Sequence, residues 1–152
     1  MQRRSALRRT AVVACSLAGA GCLGGSGGGP PREPAVDGWF AAVPNYDGFV
    51  DRTDEQEVTV SVGAGKAGHR FAPPAITVVP DTTVVFEWTG KGSGHNVQHP
   101  DDEWANPDGV VEEAGHTWQR QFSEPGTHRY VCWPHRGVGM KGAVFVDAHV
   151  KQ

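Results

Sequence analysis

The stretch that decides the fold is Tyr130-Val131-Cys132-Trp133-Pro134-His135-Arg136-Gly137-Val138-Gly139-Met140. It places a thiol, an imidazole and a thioether in one short loop, with the spacing Cys-x2-His-x4-Met. Soft sulfur ligands together with imidazole select copper over hard cations, and two histidines, one cysteine and a weak axial methionine form a blue copper site. Pro134 restricts the chain before His135, and we expect Gly137 and Gly139 to allow the tight bends that lead to Met140. The loop therefore predicts three ligands of a copper site.

A second histidine ligand has to come from elsewhere in the chain. His95 follows a glycine-rich stretch, residues 92–94. We expect it to begin a strand, and we expect the start of this strand to lie near the loop that carries Cys132. His99 competes with it, because residues 95, 97 and 99 of a strand share one face. The pattern alone leaves both histidines open.

The cysteine count supports a metal site. Of three cysteines, Cys15 lies in a predicted export signal and Cys22 at its end, which leaves Cys132 without an intramolecular disulfide partner. A metal ligand or a reactive thiol is the usual explanation for such a cysteine in an exported protein.

The N-terminal sequence predicts export. Two pairs of arginines precede an apolar stretch, residues 11–20, and no acidic residue occurs before Glu33. This stretch is too short to span a bilayer, which needs about 20 apolar residues. The pattern indicates a twin-arginine-type signal peptide over residues 1–21, with an ordinary secretory signal as the alternative.

A lipid anchor and a tether follow the signal. The small residues before Cys22 resemble a lipobox, although Gly19 stands where leucine is usual, and they predict a lipidated Cys22 rather than a plain cleavage site. Residues 22–36 are rich in glycine and proline, which predicts a flexible linker that reaches roughly 20 Å. We expect the protein on the outer face of the cytoplasmic membrane, anchored to the membrane through this lipid.

Residues 37–150 predict one all-β domain. Hydrophobic residues make up 38% of the chain, enough for a core, and 21 glycines and 11 prolines argue for many turns. The aromatic residues between 39 and 49 suggest a helix or an irregular segment that anchors the N-terminal end of the domain. Period-two alternation then predicts about seven short strands, the pattern of a β-sandwich. The predicted strands cover 57–62, 75–79, 82–88, 95–99, 116–122, 127–132 and 141–146.

Charge narrows the class of partner. Without residues 1–21 the chain keeps 10 basic and 17 acidic residues, a net charge of −7. Such an acidic surface argues against nucleic acid as a partner. It suits a salt-rich environment or docking to a basic protein, and we expect the acidic runs themselves to be solvated faces.

Taken together, these residues resemble the cupredoxin family, and in particular the halocyanins, the plastocyanin-like blue copper proteins of haloarchaea. The resemblance covers residues 37–148 and implies a Greek-key β-sandwich of about seven to eight strands. In that family the first copper histidine is followed by asparagine, which implies that His95 is the ligand and His99 is not. His128 departs from the pattern, since an aromatic residue is expected there. The matching pieces are Asn45-Tyr46-Asp47-Gly48, Phe86-Glu87-Trp88-Thr89-Gly90, His95-Asn96, Tyr130-x-Cys132-x-Pro134-His135 and Gly139-Met140-Lys141-Gly142.

The resemblance also implies a function. It implies one copper, cycling between Cu(II) and Cu(I) on His95, Cys132, His135 and Met140, in a one-electron carrier between a protein donor and a protein acceptor. The backbone N–H of Asn96 would hydrogen-bond the sulfur of Cys132 and tune the potential. His135 would lie at an apolar rim, framed by proline and valine, as the exit for the electron. The four remaining histidines are expected at the surface: His69, His116, His128 and His149.

Two other functions are weighed against a carrier. A multicopper oxidase needs histidines beside the copper cysteine, whereas Val131 and Trp133 stand there, and a binuclear site needs a second cysteine in the loop. Four protein ligands leave no open position for a small-molecule substrate, so an enzyme is not expected. An exported copper storage or delivery module remains the alternative.

Overall fold

The fold is an all-β sandwich, as the computed structural model of residue 34 and residues 36–150 shows. The predicted signal peptide over 1–21, the lipidation site Cys22 and most of the 22–36 tether lie outside the described residues. The described part contains eight strands, β1 (Val50–Asp51), β2 (Glu57–Ala64), β3 (Arg70–Ala72), β4 (Ala75–Val78), β5 (Thr82–Trp88), β6 (Thr117–Phe122), β7 (Gly126–Val131) and β8 (Lys141–Val146). They form two four-stranded sheets, ordered β1-β4-β8-β7 and β3-β2-β5-β6.

Alternation along the strands builds the core between the sheets. In β2 the valines 58, 60 and 62 are buried, whereas the residues between them are exposed or half-buried. In β5 the same alternation buries Phe86 and Trp88. The two strands pair in parallel, with Phe86 opposite Val60. The predicted sandwich of seven to eight strands is confirmed.

A segment of turns covers the outer face of the first sheet. Phe40 and Val43 form a second apolar cluster with Ala75 of β4 and Ala143 of β8. Tyr46 stacks on Phe40 with the ring centroids 4.0 Å apart. The aromatic anchors are thus held in turns rather than in a helix, and they bury β4 on both faces.

The predicted strand from His95 to His99 is wrong. His95 pairs only with Val111, and Gln98 pairs with Ala105 and with Val131 of β7. Because the segment changes pairing partner between its two ends, it forms isolated bridges instead of a continuous ladder. Among the described residues, no helix is long and apolar enough to cross a membrane.

Candidate metal centre

The predicted ligand loop closes one end of the sandwich between β7 and β8. Cys132 follows β7 directly, and a 3-10 helix, Arg136–Val138, turns the chain back. The backbone N–H of Cys132 donates to the carbonyl of Met140 (3.0 Å), and the N–H of Met140 donates to the carbonyl of His135 (3.2 Å). Gly139 has φ +81° after this helix, which favours glycine. Gly137 has no positive φ. Of the two glycines expected to allow tight bends, only Gly139 therefore adopts a backbone conformation that favours glycine.

The structure brings His95, Cys132 and His135 together. Their ligand atoms all lie within 4.8 Å of one another. The sulfur of Cys132 is 3.4 Å from Nδ1 of His135 and 3.7 Å from Nδ1 of His95, and the two Nδ1 atoms are 3.1 Å apart. Both imidazoles therefore turn the same ring nitrogen toward the thiol.

The orientation of His95 is fixed by its other nitrogen. Nε2 lies 2.6 Å from the carbonyl oxygen of Lys91; since a carbonyl only accepts, Nε2 carries the proton and Nδ1 keeps its lone pair. The indole N–H of Trp88 donates to the carbonyl of His95 (3.0 Å) and holds the backbone. Burial lowers the pKa of His95, a shift that the Lys91 contact opposes and the nearby His69 reinforces. A neutral imidazole with a free Nδ1 is a metal ligand.

Met140 provides the fourth candidate donor. Its side chain is fully buried in the same apolar cluster as Cys132. Two imidazoles, a thiol and a thioether form the donor set that suits copper, and they do not suit calcium or magnesium.

Two backbone N–H groups act on the sulfur of Cys132. Burial raises the pKa of this thiol, and hydrogen bonds from the backbone N–H groups of Asn96 and His135 partly offset the rise. The predicted contribution of Asn96 is present, whereas that of His135 was not foreseen. The side chain of Asn96 also accepts a hydrogen bond from the backbone N–H of Trp133 (2.8 Å). Asn96 thereby joins the two segments that carry the histidines.

His69 belongs to the centre, although the sequence predicted it at the surface. It is half-buried, and its ring stacks on His135 with centroids 4.2 Å apart and an interplanar angle of 20°. Its Nε2 lies 3.1 Å from the carbonyl oxygen of Gly92. No spacing rule relates residue 69 to residue 135, so the pattern held no signal for this contact.

The other histidines lie apart from the three clustered donors. His99 contacts Glu103 at 3.7 Å and accepts a hydrogen bond from the N–H of Asp101. His149 is exposed as expected, whereas His116 and His128 are half-buried. The structure thus selects His95 over His99 as the residue near Cys132.

Comparisons with known proteins agree with the donor set of this centre. The sequence profile described as "Copper binding proteins, plastocyanin/azurin family" matches residues 58–147. The chain belongs to this family. The cupredoxin is also 45% identical over 104 residues to a halocyanin from Natronomonas pharaonis, across 67% of this chain and 64% of the halocyanin. The match thus spans just under two thirds of that relative's length.

Plastocyanins are further relatives of this cupredoxin. Plastocyanin from Scenedesmus fuscus is 33% identical over 99 residues, which cover 60% of this chain and all of that protein. The structure of oxidized plastocyanin from Dryopteris crassirhizoma superposes with a TM-score of 0.47 at 27% identity, over 59% of this chain and all of that one. The family membership rests on the profile match and on the halocyanin and plastocyanin sequences. Copper is the cofactor of this family, and the donor set of the centre fits it.

Proposed function

We propose that this cupredoxin carries single electrons between protein partners, using one copper bound by His95, Cys132, His135 and Met140. The observation that carries the proposal is the cluster of two Nδ1 atoms and one sulfur within 3.7 Å of one another, with the buried Met140 in the same apolar cluster as Cys132. When bound, copper supplies a one-electron couple between Cu(II) and Cu(I).

The protein residues hold the donors in one arrangement. His95 is 1% exposed and Cys132 is fully buried, so water is excluded from this side of the centre. The Lys91 carbonyl fixes the ring of His95, and stacking on His69 fixes the ring of His135. Donors that are fixed before the metal binds present nearly the same geometry to both oxidation states, which keeps the reorganisation energy small.

The exit for the electron is proposed at His135. This residue is half-buried, whereas the other clustered donors are enclosed. Next to it, Val138 is 51% exposed and Trp133 is 46% exposed. An apolar surface of this kind lets a partner approach the imidazole edge closely.

A carrier is favoured over an enzyme by the donor set. Four protein ligands leave no coordination position for a substrate. Within residues 36–150, moreover, a single cluster of histidine, cysteine and carboxylate ligand atoms could hold a metal. A copper storage or delivery module stays the second candidate, because its donor set could be the same.

Ligand variants and voltammetry test the proposal. His95→Ala should lower the copper stoichiometry or abolish the native spectrum, whereas the matched His99→Ala should keep both, because His99 lies at Glu103. The copper-loaded protein should give a reversible one-electron wave over repeated cycles without loss of metal. Copper release on reduction would instead support the delivery module.

We further propose export and membrane anchoring through a lipid on Cys22. The support is the sequence of residues 1–36, with paired arginines, a short apolar stretch and small residues before Cys22. Cys22→Ala should release the protein from membranes, whereas the matched Cys15→Ala should leave it bound. Membrane retention of Cys22→Ala would contradict the anchor.

A further inference from the structure

The three segments that meet around the candidate copper centre share an unusual charge. Segments 64–70, 89–95 and 132–141 carry five basic residues and no acidic one, whereas the rest of the chain after residue 21 carries five basic and 17 acidic residues. The segments touch one another: His69 stacks on His135 and contacts the carbonyl of Gly92. We call the surface formed by four of these side chains the cationic face. It comprises Lys66, Arg70, Lys91 and Arg136, whereas the ammonium of Lys141 lies 4.7 Å from the centre of the Trp39 ring, outside this face.

In the part of the chain that the structure describes, no carboxylate forms an ion pair with a side chain of the cationic face. Among the described residues, the ion pairs of arginine are Arg52 with Glu55 and Arg129 with Asp37. Arg70 instead donates to the carbonyl oxygen of Val138 (2.8 Å). At the edge of the face, Glu112 lies beside Gly94. The positive charge is therefore concentrated at the end of an otherwise acidic domain where His135 reaches the surface.

The centre of the face is apolar. Trp133 and Val138 are about half exposed, and the guanidinium of Arg136 lies 3.9 Å from the centre of the Trp133 ring. Aromatic residues and arginine are enriched in protein interfaces and among their energetic hot spots. An apolar centre surrounded by one sign of charge is the arrangement of a docking site for a partner of the opposite charge.

We propose that the cationic face docks a redox protein that presents acidic side chains around its own site of electron transfer. This inference rests on the proposed carrier function and specifies the charge of the partner. The net charge of −7 suits a salt-rich environment or a basic partner. The charge next to the exit nevertheless governs the orientation of a partner at short range, because solvent and salt screen more distant charges within about 8 Å. An anionic lipid surface is disfavoured, because it would cover the edge of His135 that the electron must leave.

Electron exchange with small charged probes tests the face in the copper-loaded protein. We expect the reduced protein to react faster with anionic hexacyanoferrate(III) than its Arg136→Glu or Lys91→Glu variants, by about tenfold at low ionic strength, the lower end of the range for electrostatic steering. The cationic probe tris(phenanthroline)cobalt(III) should show the opposite trend. Arg52→Glu makes the same change in charge at the other end of the sandwich, next to Thr77 of β4, and should change either rate by less than about twofold. Equal effects of Arg52→Glu and Arg136→Glu would overturn the proposal.

A binding measurement separates this inference from the carrier function. In copper-free protein, poly-L-glutamate should shift the NMR signals of segments 64–70, 89–95 and 132–141, and Arg136→Glu should weaken the shifts. Shifts centred elsewhere would refute the cationic face, even if the protein carries electrons. Vesicles of phosphatidylglycerol and phosphatidylcholine provide the lipid comparison, and tighter binding to them than to poly-L-glutamate through the same segments would assign the face to lipid. If the copper-loaded protein gives no reversible redox wave but poly-L-glutamate causes the expected NMR shifts, the carrier function is refuted, whereas the binding of an anionic partner to the cationic face stands.

Discussion

Gly63 is the residue whose substitution tests most sharply how the fold positions the first ligand. It lies in β2 with φ +93°, where the pairing with β3 is irregular. A Cβ at this position would lie 2.7 Å from Oγ1 of Thr89, 2.8 Å from the carbonyl oxygen of Lys91 and 3.1 Å from Nε2 of His95. These last two atoms form the hydrogen bond that orients the imidazole. Gly63→Ala is therefore expected to strain the backbone and to displace His95.

The loss of stability can be separated into two contributions. A left-handed backbone costs a residue with a Cβ about 1–2 kcal/mol, and overpacking a well-packed site costs about 1–3 kcal/mol. Gly63→Ala should then lower the free energy of unfolding by about 2–5 kcal/mol in total. Gly115→Ala is the matched control, since φ there is +83° and nothing lies within 4 Å of the added Cβ. It should show the backbone contribution alone.

Urea denaturation of the copper-free variants measures both contributions. The copper-loaded variants should differ as well, with a changed electron paramagnetic resonance spectrum for Gly63→Ala and a native one for Gly115→Ala. The reasoning fails if the two variants lose stability within about 0.5 kcal/mol of each other and Gly63→Ala keeps the native copper spectrum.

Three further substitutions follow from the packing around the centre. The hydroxyl of Tyr130 is buried and has no hydrogen-bond partner among the described residues, so Tyr130→Phe should raise the unfolding free energy at neutral pH by about 1 kcal/mol. Burial raises the pKa of Tyr130; above pH about 10 the unfolded tyrosine ionises while the folded one does not, and the wild type should lose stability there more than the variant does. Urea denaturation at neutral pH and above pH about 10 measures both effects. A Tyr130→Phe variant destabilised at neutral pH by more than about 1 kcal/mol would contradict the prediction. His69→Ala should alter the paramagnetic resonance spectrum of the copper protein, because it removes the ring stacked on His135, whereas His69→Phe should largely preserve it; equal spectra for both variants would exclude a positioning role. Asn96→Ala leaves the backbone N–H of Trp133 without its acceptor. It should lower the free energy of unfolding of the copper-free protein by about 1–3 kcal/mol, and an unchanged unfolding midpoint would contradict this prediction.

Most of the fold was predictable because alternation reports burial directly. The valines of β2 and the aromatic residues of β5 follow the period of two, and the structure buries them on one side of each strand. The segment from His95 to His99 shows the same spacing without forming a strand, since its pairing partners change from Val111 to Val131. Alternation indicates which side of a segment is buried, but it does not indicate whether one neighbouring strand pairs with the whole segment.

The candidate centre was predictable where its residues are close in sequence. Cys132, His135 and Met140 occupy one loop, so spacing and donor chemistry are sufficient to predict them. The choice of His95 needed the resemblance, because only the folded chain distinguishes it from His99. The stacking of His69 on His135 joins residues 66 positions apart, and the cationic face joins three distant segments. Such features depend on tertiary contacts, which no local pattern encodes.

The visible absorption spectrum of the protein loaded with Cu(II) tests the central claim most directly. If the sulfur of Cys132 binds copper together with Nδ1 of His95 and His135, the protein should show an intense thiolate-to-copper charge-transfer band, and Cys132→Ser should lose the band. A wild-type protein that binds stoichiometric Cu(II) without this band would contradict the account.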